Sequence, residues 1–278
     1  MTKSSVATII VPLLRQKTAW LAQCLESALA QSEPCEVIVV RAAGTPAPNL
    51  KVLQELQKDW TNLHVLVETK PGNFPGAIND GIAAASTNRI GFLLSDDWLE
   101  RDAVAQCLPL DADIVCTGQT TYYEDGTVLE AASRTLSLSE FNRRPTLESK
   151  ASYLEHFFLF KKQALLRAGG LDETIGNFPG IDDYDLIWTL LEQGATVAIV
   201  EKRLYNYRDH GGERLTLASR QEALRNLETI LLKHGIPKTH VREIAEDHAK
   251  WYGRPIHEVL REAQREKRAV LTRASHDE

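Results

Sequence analysis

Two adjacent carboxylates, Asp96 and Asp97, follow directly after an apolar run in the segment FLLSDDW at 92–98. The apolar run predicts a buried parallel strand, so both carboxylates should stand at its carboxyl end, where open α/β sheets bind their ligands. Neighbouring carboxylates repel each other unless a positive charge lies close, and a hard divalent cation held against a diphosphate can supply it. The spacing equally allows one of them to cap the helix expected around Arg101–Cys107.

A second acidic cluster lies in the segment GIDDYDLIW at 180–188. Asp182, Asp183 and Asp185 begin a predicted helix, and helix capping together with the macrodipole accounts for one or two of them, at about 1 kcal/mol each. It does not account for three. The preceding loop, GNFPG at 176–180, would let a carboxylate project into a cleft, where a general base must reach its substrate.

A late histidine, His210, lies in the segment YNYRDHGG at 205–212, after two predicted strands, one at Thr196–Val200 and one ending near Tyr207. A single histidine is more often a structural or exposed side chain than a metal ligand, although imidazole is a common ligand. The residue type alone therefore leaves both interpretations open.

The elements that must position these residues alternate in the first half of the chain, which is typical of βαβ units on a mainly parallel sheet. The predicted strands and helices are, in order, Val6–Val11, Thr18–Gln31, Glu36–Val40, Leu50–Asp59, His64–Val67, Ala77–Ala85 and the strand ending at Leu94, with a loop at Pro71–Gly76. Beyond that strand the pattern changes to a strand at Asp113–Thr117, a hairpin over Thr120–Leu129, an irregular loop with room for a short helix at Ser133–Lys150, and a strand at Phe157–Lys161. We therefore predict an α/β fold with a mixed sheet flanked by helices.

The end of the chain has a different character, because long charged helix-forming segments replace the alternation. Helices are predicted at Leu217–His234, Lys238–Trp251 and Ile256–Thr272. These segments predict a main domain over 1–216 and a helical C-terminal appendage over 217–278.

Composition excludes several classes of protein. The net charge is −6 and no basic run is present, which argues against nucleic acid as a partner. No segment approaches the length of a transmembrane helix, and the first apolar run is too short for a signal sequence. The four cysteines have no CxxC spacing, so we expect small buried residues in a reducing cytoplasm. They are Cys24, Cys35, Cys107 and Cys116.

The order of these features resembles a family 2 glycosyltransferase of the GT-A fold, the Rossmann-like fold of nucleotide-diphospho-sugar transferases, over roughly 6–216. The matching segments, in the expected order, are 9–12, 35–40, 76–82, 92–98, 160–173, 182–186 and 207–210.

The resemblance implies a metal-assisted donor site. Asp96 and Asp97 would carry Mg²⁺ or Mn²⁺ and the donor's ribose or phosphate, and His210 would reach the metal or the pyrophosphate. The metal would offset charge on the leaving nucleoside diphosphate. The residues that we expect to bind the donor are Pro12, Arg15, Arg41, Asn79, Ser95 and Asp96.

The resemblance also assigns the second acidic cluster. Asp182 and Asp183 match the motif that supplies the catalytic base, and we favour Asp183. That base would take a proton from an acceptor hydroxyl as it attacks the anomeric carbon, which inverts its configuration. The implied enzyme is a hexosyltransferase of polysaccharide biosynthesis whose acceptor is a glycan or a lipid-linked glycan. We expect a cytoplasmic protein that could contact the inner membrane face, and a homo-oligomer stays open.

Two departures from the family pattern leave open both the donor base and whether the domain is catalytic. Arg41 and Leu94 stand where many relatives have acidic residues, and neither can accept the hydrogen bonds of a uracil or a ribose, so uridine as the donor base is in doubt. Arg41, like Arg15, could instead meet another base or the pyrophosphate, or be an exposed charge. A catalytically silent GT-A domain that binds a nucleotide, a glycan or a protein is the alternative. This sequence lacks the glycine-rich phosphate loop of a nucleotidyltransferase after its first strand. It also lacks the GxGxxG motif of an NAD-dependent enzyme.

Overall fold

The computed structural model describes residues 4–175, 181–211, 219–263 and 265. Within them the strands are β1 (Ala7–Leu13), β2 (Cys35–Arg41), β3 (Leu63–Val67), β4 (Arg89–Phe92), β5 (Trp98–Leu99), β6 (Ile114–Tyr123), β7 (Phe158–Lys161) and β8 (Val197–Asp209). The helices are α1 (Thr18–Leu29), α2 (Ala47–Asp59), α3 (Phe74–Ala84), α4 (Ala103–Cys107), α5 (Leu138–Arg143), α6 (Leu147–Ala151), α7 (Lys162–Ala168), α8 (Asp182–Glu192), α9 (Arg220–Lys233) and α10 (Lys238–Ala249).

The strands form one mixed sheet in the order β3-β2-β1-β4-β7-β6-β8-β5. β1 pairs in parallel with β2 and β4, and β2 with β3. β7 runs antiparallel to both β4 and β6, and β5 runs antiparallel to β8. Every residue of β1 is buried, as expected for a central parallel strand that is covered on both faces. The predicted mixed sheet flanked by helices is confirmed.

Two helix boundaries correct the sequence predictions. α3 begins at Phe74, inside the segment predicted as loop, because the Asn73 side chain accepts a 2.8 Å hydrogen bond from the Gly76 backbone N–H and a proline occupies the first turn. The N-cap of α4 is Asp102. Neither carboxylate of the pair at 96–97 therefore caps that helix.

The second half of the sheet also differs from expectation. The two strands predicted before His210 are one continuous strand, β8. The segment predicted as an irregular loop with room for one short helix contains two, α5 and α6, and α6 begins with a capping box between Thr146 and Ser149. The predicted hairpin is confirmed, since Tyr122 bridges Val128 across a turn.

By their contacts the described residues divide into two compact units. The first holds the described residues of 1–120, 134–177 and 182–208. The second holds those of 121–133, 178–181 and 209–278, so it combines the hairpin with the C-terminal helices. The predicted division into 1–216 and 217–278 stays a prediction. In the second unit α9 packs on α10, and the last predicted helix is present over 256–263, while 264 and 266–272 lie outside the described residues.

All four cysteines are buried and free, which confirms the expectation of small buried residues. In the described part of the chain, no helix combines the length and the apolar character needed to cross a bilayer.

Candidate active site

The turn that follows β4 separates the two adjacent carboxylates. The chain leaves the sheet after Leu93, whose backbone N–H still donates to Ile10 on β1 at 3.0 Å, and the Asp97 N–H closes the turn on the Leu94 carbonyl at 3.1 Å. Asp96 is half-buried, whereas Asp97 is only 1% exposed. The turn therefore presents one carboxylate near the surface and directs the other inward.

Asp97 is held by β8. Its Oδ2 accepts a 2.6 Å hydrogen bond from the Tyr205 hydroxyl, and its Oδ1 accepts a 2.7 Å bond from the Arg208 backbone N–H. Burial, and then the charge of Asp97, raises the pKa of Tyr205 well above its ordinary value, so the phenol keeps its proton and donates it. Both oxygens of Asp97 therefore hold the turn against β8, and the expected contact of Asp97 with a metal stays a prediction.

Arg208 holds the same turn from the other side. Its Nε donates to the Asp96 carbonyl at 3.0 Å and its Nη2 to Gln23 Oε1 at 2.6 Å. The guanidinium carbon lies 4.7 Å from the ring centroids of both Trp20 and Trp98, so the cation is stacked between two indoles. A buried positive charge thus lies directly beside the pair of carboxylates.

The second acidic cluster forms the first turn of α8, where the free N–H groups favour negative charge. Asp182 and Asp185 are buried, with 9% and 3% exposure. Asp183 keeps 35% of its side chain exposed, and its Oδ1 accepts a 2.9 Å bond from the Tyr184 N–H. Of the three carboxylates, Asp183 is therefore the one that a substrate could reach.

Two aromatic side chains connect the acidic clusters inside the first unit. His156 Nε2 lies 3.3 Å from Asp183 Oδ2. The His156 ring stacks on Tyr205 with centroids 5.2 Å apart and an interplanar angle of 27°, and Tyr205 in turn donates to Asp97. The structure thus brings the turn after β4 and the first turn of α8 together.

His210 follows the end of β8, is 3% exposed and belongs to the second unit. There the preceding residue, Asp209, accepts hydrogen bonds from the backbone N–H groups of Ile256 and His257 at 3.0 and 3.1 Å, and its Oδ2 lies 2.8 Å from His257 Nδ1. The expected contact of His210 with a metal stays a prediction.

The expected donor-binding residues lie in different places. Pro12 pairs with Val40 near the ends of β1 and β2, and Arg41 ends β2 with its Nη1 on the Ala42 carbonyl at 3.1 Å. Arg15 is exposed after β1, and Ser95 is half-buried in the turn after β4. All four lie at the carboxyl ends of neighbouring strands or just beyond them, as a ligand at this edge of the sheet would need.

The Asn79 side chain is bonded to the segment that follows α7. Its Nδ2 donates to the Leu171 carbonyl at 2.9 Å and to Glu173 Oε1 at 2.8 Å, and its Oδ1 accepts from the Leu171 N–H at 2.9 Å. Asn79 therefore fastens α3 to the segment after α7, and its expected contact with the donor stays a prediction.

A divalent cation needs several oxygen ligands around one position. In the parts of the chain that the structure describes, no group of three or more His, Cys, Asp or Glu side chains is arranged around a common metal position. Mg²⁺ normally takes one or two carboxylates and completes its shell with substrate phosphates and water. The half-buried Asp96 fits that set of ligands, so the site suits a cation that binds together with a diphosphate.

Sequence reasoning missed three residues of this site: His156, Tyr205 and Arg208. Arg208 and Tyr205 share a segment with His210, and a charged residue at the end of an apolar strand was the available signal. His156 precedes the apolar run FFLF, and nothing local distinguishes it from an exposed histidine.

Comparison with known proteins identifies the family. The family described as Glycosyl transferase family 2 matches residues 8–173. The chain is 26% identical over 212 residues to the O-antigen biosynthesis protein RfbC of Myxococcus xanthus, which covers 75% of this chain and 16% of that protein. It is 28% identical over 221 residues to the chondroitin synthase of Pasteurella multocida (strain Pm70), covering 77% of this chain and 21% of that protein. The chain thus spans about a fifth of the length of these curated relatives.

Solved structures show the same fold. S. aureus TarS 1–349 in complex with UDP-GlcNAc aligns with a TM-score of 0.62 and 17% identity, covering 88% of this chain and 72% of that one. The mannosyltransferase PcManGT from Pyrobaculum calidifontis, in complex with GDP-Man and Mn²⁺, aligns with a TM-score of 0.63 and 16% identity, covering 99% and 81%. Both similarities support the GT-A architecture of the sheet.

Proposed function

The chain belongs to glycosyl transferase family 2, and from this premise we propose that it transfers a sugar from a nucleotide-sugar donor to a hydroxyl group of an acceptor, with inversion at the anomeric carbon. The observation that carries the proposal is the path from Asp97 through Tyr205 and His156 to Asp183. It places an accessible carboxylate near the sheet edge that would hold the donor diphosphate.

In this proposal the two accessible carboxylates have separate roles. Asp96 would hold Mg²⁺ or Mn²⁺, which offsets negative charge on the leaving nucleoside diphosphate. Asp183 is the general base that takes the proton of the acceptor hydroxyl at one of its carboxylate oxygens. Arg208 and Tyr205 fix the turn that carries Asp96, so the donor meets a preorganised site rather than one that must be ordered on binding.

We propose that the donor base is chosen at the ends of β1 and β2. Arg41 presents a guanidinium, which only donates hydrogen bonds, at the end of β2. This favours a base edge or a pyrophosphate that offers acceptors, and it disfavours a site that needs a carboxylate for the uracil N–H. TarS is solved with UDP-GlcNAc and PcManGT with GDP-Man, so both donor classes belong in a test.

We propose a glycan or lipid-linked glycan as the acceptor, within polysaccharide biosynthesis. The support is the similarity to RfbC and to a chondroitin synthase, whose names refer to polysaccharides. Three properties stay predictions from the sequence: a cytoplasmic location, contact with the inner membrane face, and a homo-oligomer.

The experiment is a thermal-shift screen of the purified chain with UDP-, GDP-, CMP- and dTDP-sugars, each with and without Mn²⁺, followed by turnover assays with the stabilising donor. Ligand binding to the folded state raises the unfolding temperature, so we expect one donor class to stabilise the chain, and more so with Mn²⁺. Release of nucleoside diphosphate that increases with added glycan acceptor would support the transferase.

Two results would count against the proposal. Stabilisation by a donor without turnover, across a panel of glycan and lipid-linked acceptors, would favour the catalytically silent domain. Stabilisation by none of the donors would remove the nucleotide-sugar site altogether.

A further inference from the structure

We propose that His156 is a positioning residue for the catalytic base: its imidazole Nε2 faces Asp183 Oδ2 and holds that carboxylate toward the acceptor hydroxyl. This inference rests on the proposed function and adds a residue that neither acidic motif contains. His156 is a positioning residue rather than a catalytic one, because it acts through Asp183.

The contact with Asp183 is direct. Nε2 and Oδ2 are 3.3 Å apart, and the two side chains are 20% and 35% exposed. The other carboxylate oxygen, Oδ1, is bound by the Tyr184 N–H at 2.9 Å. One carboxylate oxygen is therefore bound in the first turn of α8, and the other lies beside an imidazole on the segment that enters β7.

The other nitrogen of the ring identifies the tautomer. Among the described residues, His156 Nδ1 is buried and has no hydrogen-bond partner. A buried N–H without an acceptor is costly, so of the two neutral tautomers the one with its hydrogen on Nε2 is favoured, and Nδ1 is left as a lone pair. In the proposal, the Nε2 hydrogen is directed at Asp183 Oδ2, which lies at ion-pair distance.

Aromatic packing fixes the ring itself. His156 stacks on Tyr205 with centroids 5.2 Å apart, and it meets Phe158 edge-on at 5.2 Å and 68°. Tyr205 is fully buried and is bonded to Asp97. The orientation of the base is consequently tied to the turn after β4, where the donor diphosphate would lie.

The test compares His156→Phe with His156→Gln. Phenylalanine keeps a ring against Tyr205 but has no donor, whereas glutamine keeps an N–H donor. We expect His156→Phe to lower kcat about 100-fold, because a base that is misplaced by about 1 Å loses that much, with little change in the donor KM. His156→Gln should recover part of the loss.

A double-mutant cycle separates positioning from folding. In an Asp183→Asn background, His156→Phe should cost nothing further in kcat, because the group through which it acts is already gone. Equal losses in both backgrounds would overturn the proposal, as would a wild-type kcat for His156→Phe. If His156→Phe does not fold, the same cycle is run with His156→Gln. Any decrease in kcat caused by His156→Gln must then disappear in the Asp183→Asn background.

The matched control is His64, whose Nε2 lies 3.8 Å from Glu36 Oε1 near the beginnings of β2 and β3, at the opposite end of the strands from the candidate site. His64→Phe should leave kcat unchanged. Turnover by the wild-type chain is measured first. A wild-type chain without turnover would contradict the proposed function, whereas an active wild-type chain whose kcat does not depend on His156 would contradict only the role of His156.

Discussion

The Tyr205 hydroxyl lies 2.6 Å from Oδ2 of Asp97, and both side chains are almost entirely withdrawn from solvent. The contact divides the pair of adjacent carboxylates into an internal anchor, Asp97, and an accessible group, Asp96. The same tyrosine supports the His156 ring on its face. One buried residue thus contacts both the turn after β4 and the ring that lies beside Asp183.

Asparagine substitutions should separate the two carboxylates of the turn. Asp97→Asn should lower the free energy of unfolding by about 1.5–3 kcal/mol, because it weakens two hydrogen bonds to a buried charge. Asp96→Asn should cost less stability but weaken Mn²⁺-dependent nucleotide binding about tenfold or more, which corresponds to about 1.4 kcal/mol. Urea unfolding and titration calorimetry measure the two effects.

The control for both variants is Asp102→Asn. Asp102 stands at the beginning of α4, and its carboxylate accepts a hydrogen bond from the Gln106 side chain. It should leave nucleotide binding unchanged. If Asp97→Asn were to lose nucleotide binding at full stability, the roles of the pair would be reversed.

Asp183→Asn should abolish most of the activity without affecting the donor. Loss of a general base lowers kcat by about 10²- to 10⁴-fold, while the donor should still raise the unfolding temperature as it does for the wild type. Asp182→Asn is the matched neighbour, and its effect on kcat should be much smaller because Asp182 is only 9% exposed. A larger loss for Asp182→Asn would transfer the role of base to that residue.

Tyr205→Phe tests the hydrogen bond between Tyr205 and Asp97 by removing its donor. Removing the hydroxyl leaves Oδ2 of buried Asp97 without this donor, and we expect a loss of about 1.5–3 kcal/mol in the free energy of unfolding. The comparison is Tyr153→Phe, a buried tyrosine whose oxygen accepts from the neutral Ser137 N–H at 2.9 Å, which should cost about 1 kcal/mol. Equal losses would mean that the charge of Asp97 contributes nothing to the contact.

Arg208→Lys tests whether the guanidinium is needed between its two indoles. Lysine cannot donate in two fixed directions while stacking on both Trp20 and Trp98, so we expect a loss of about 2 kcal/mol or more in the free energy of unfolding. Nucleotide binding should weaken as well, since the Asp96 carbonyl loses its donor. Arg203→Lys on the same strand, where Nε lies 3.3 Å from Thr135 Oγ1, should be nearly neutral in urea unfolding.

Much of the fold follows from local patterns. The alternation of apolar strands and amphipathic helices predicted β1 through β4 and α1 to within a few residues, because period and turn residues are properties of short segments. The start of α3 was missed, since a cap by Asn73 cannot be distinguished from an asparagine in a loop. The two strands predicted before His210 merged into β8, because pairing in the sheet outweighs local polarity at 201–203.

The sequence by itself determined that Asp96 and Asp97 stand at the carboxyl end of a strand and that three carboxylates open α8, because strand ends and helix starts are encoded within a few residues. Only the tertiary structure decided that Asp97 points inward, that Asp183 is the accessible carboxylate and that His156 lies between the clusters. Those outcomes depend on Tyr205 and Arg208, 108 and 111 positions away from Asp97. A side chain's burial and hydrogen bonds are set by the residues that the fold brings against it, and no local pattern specifies them.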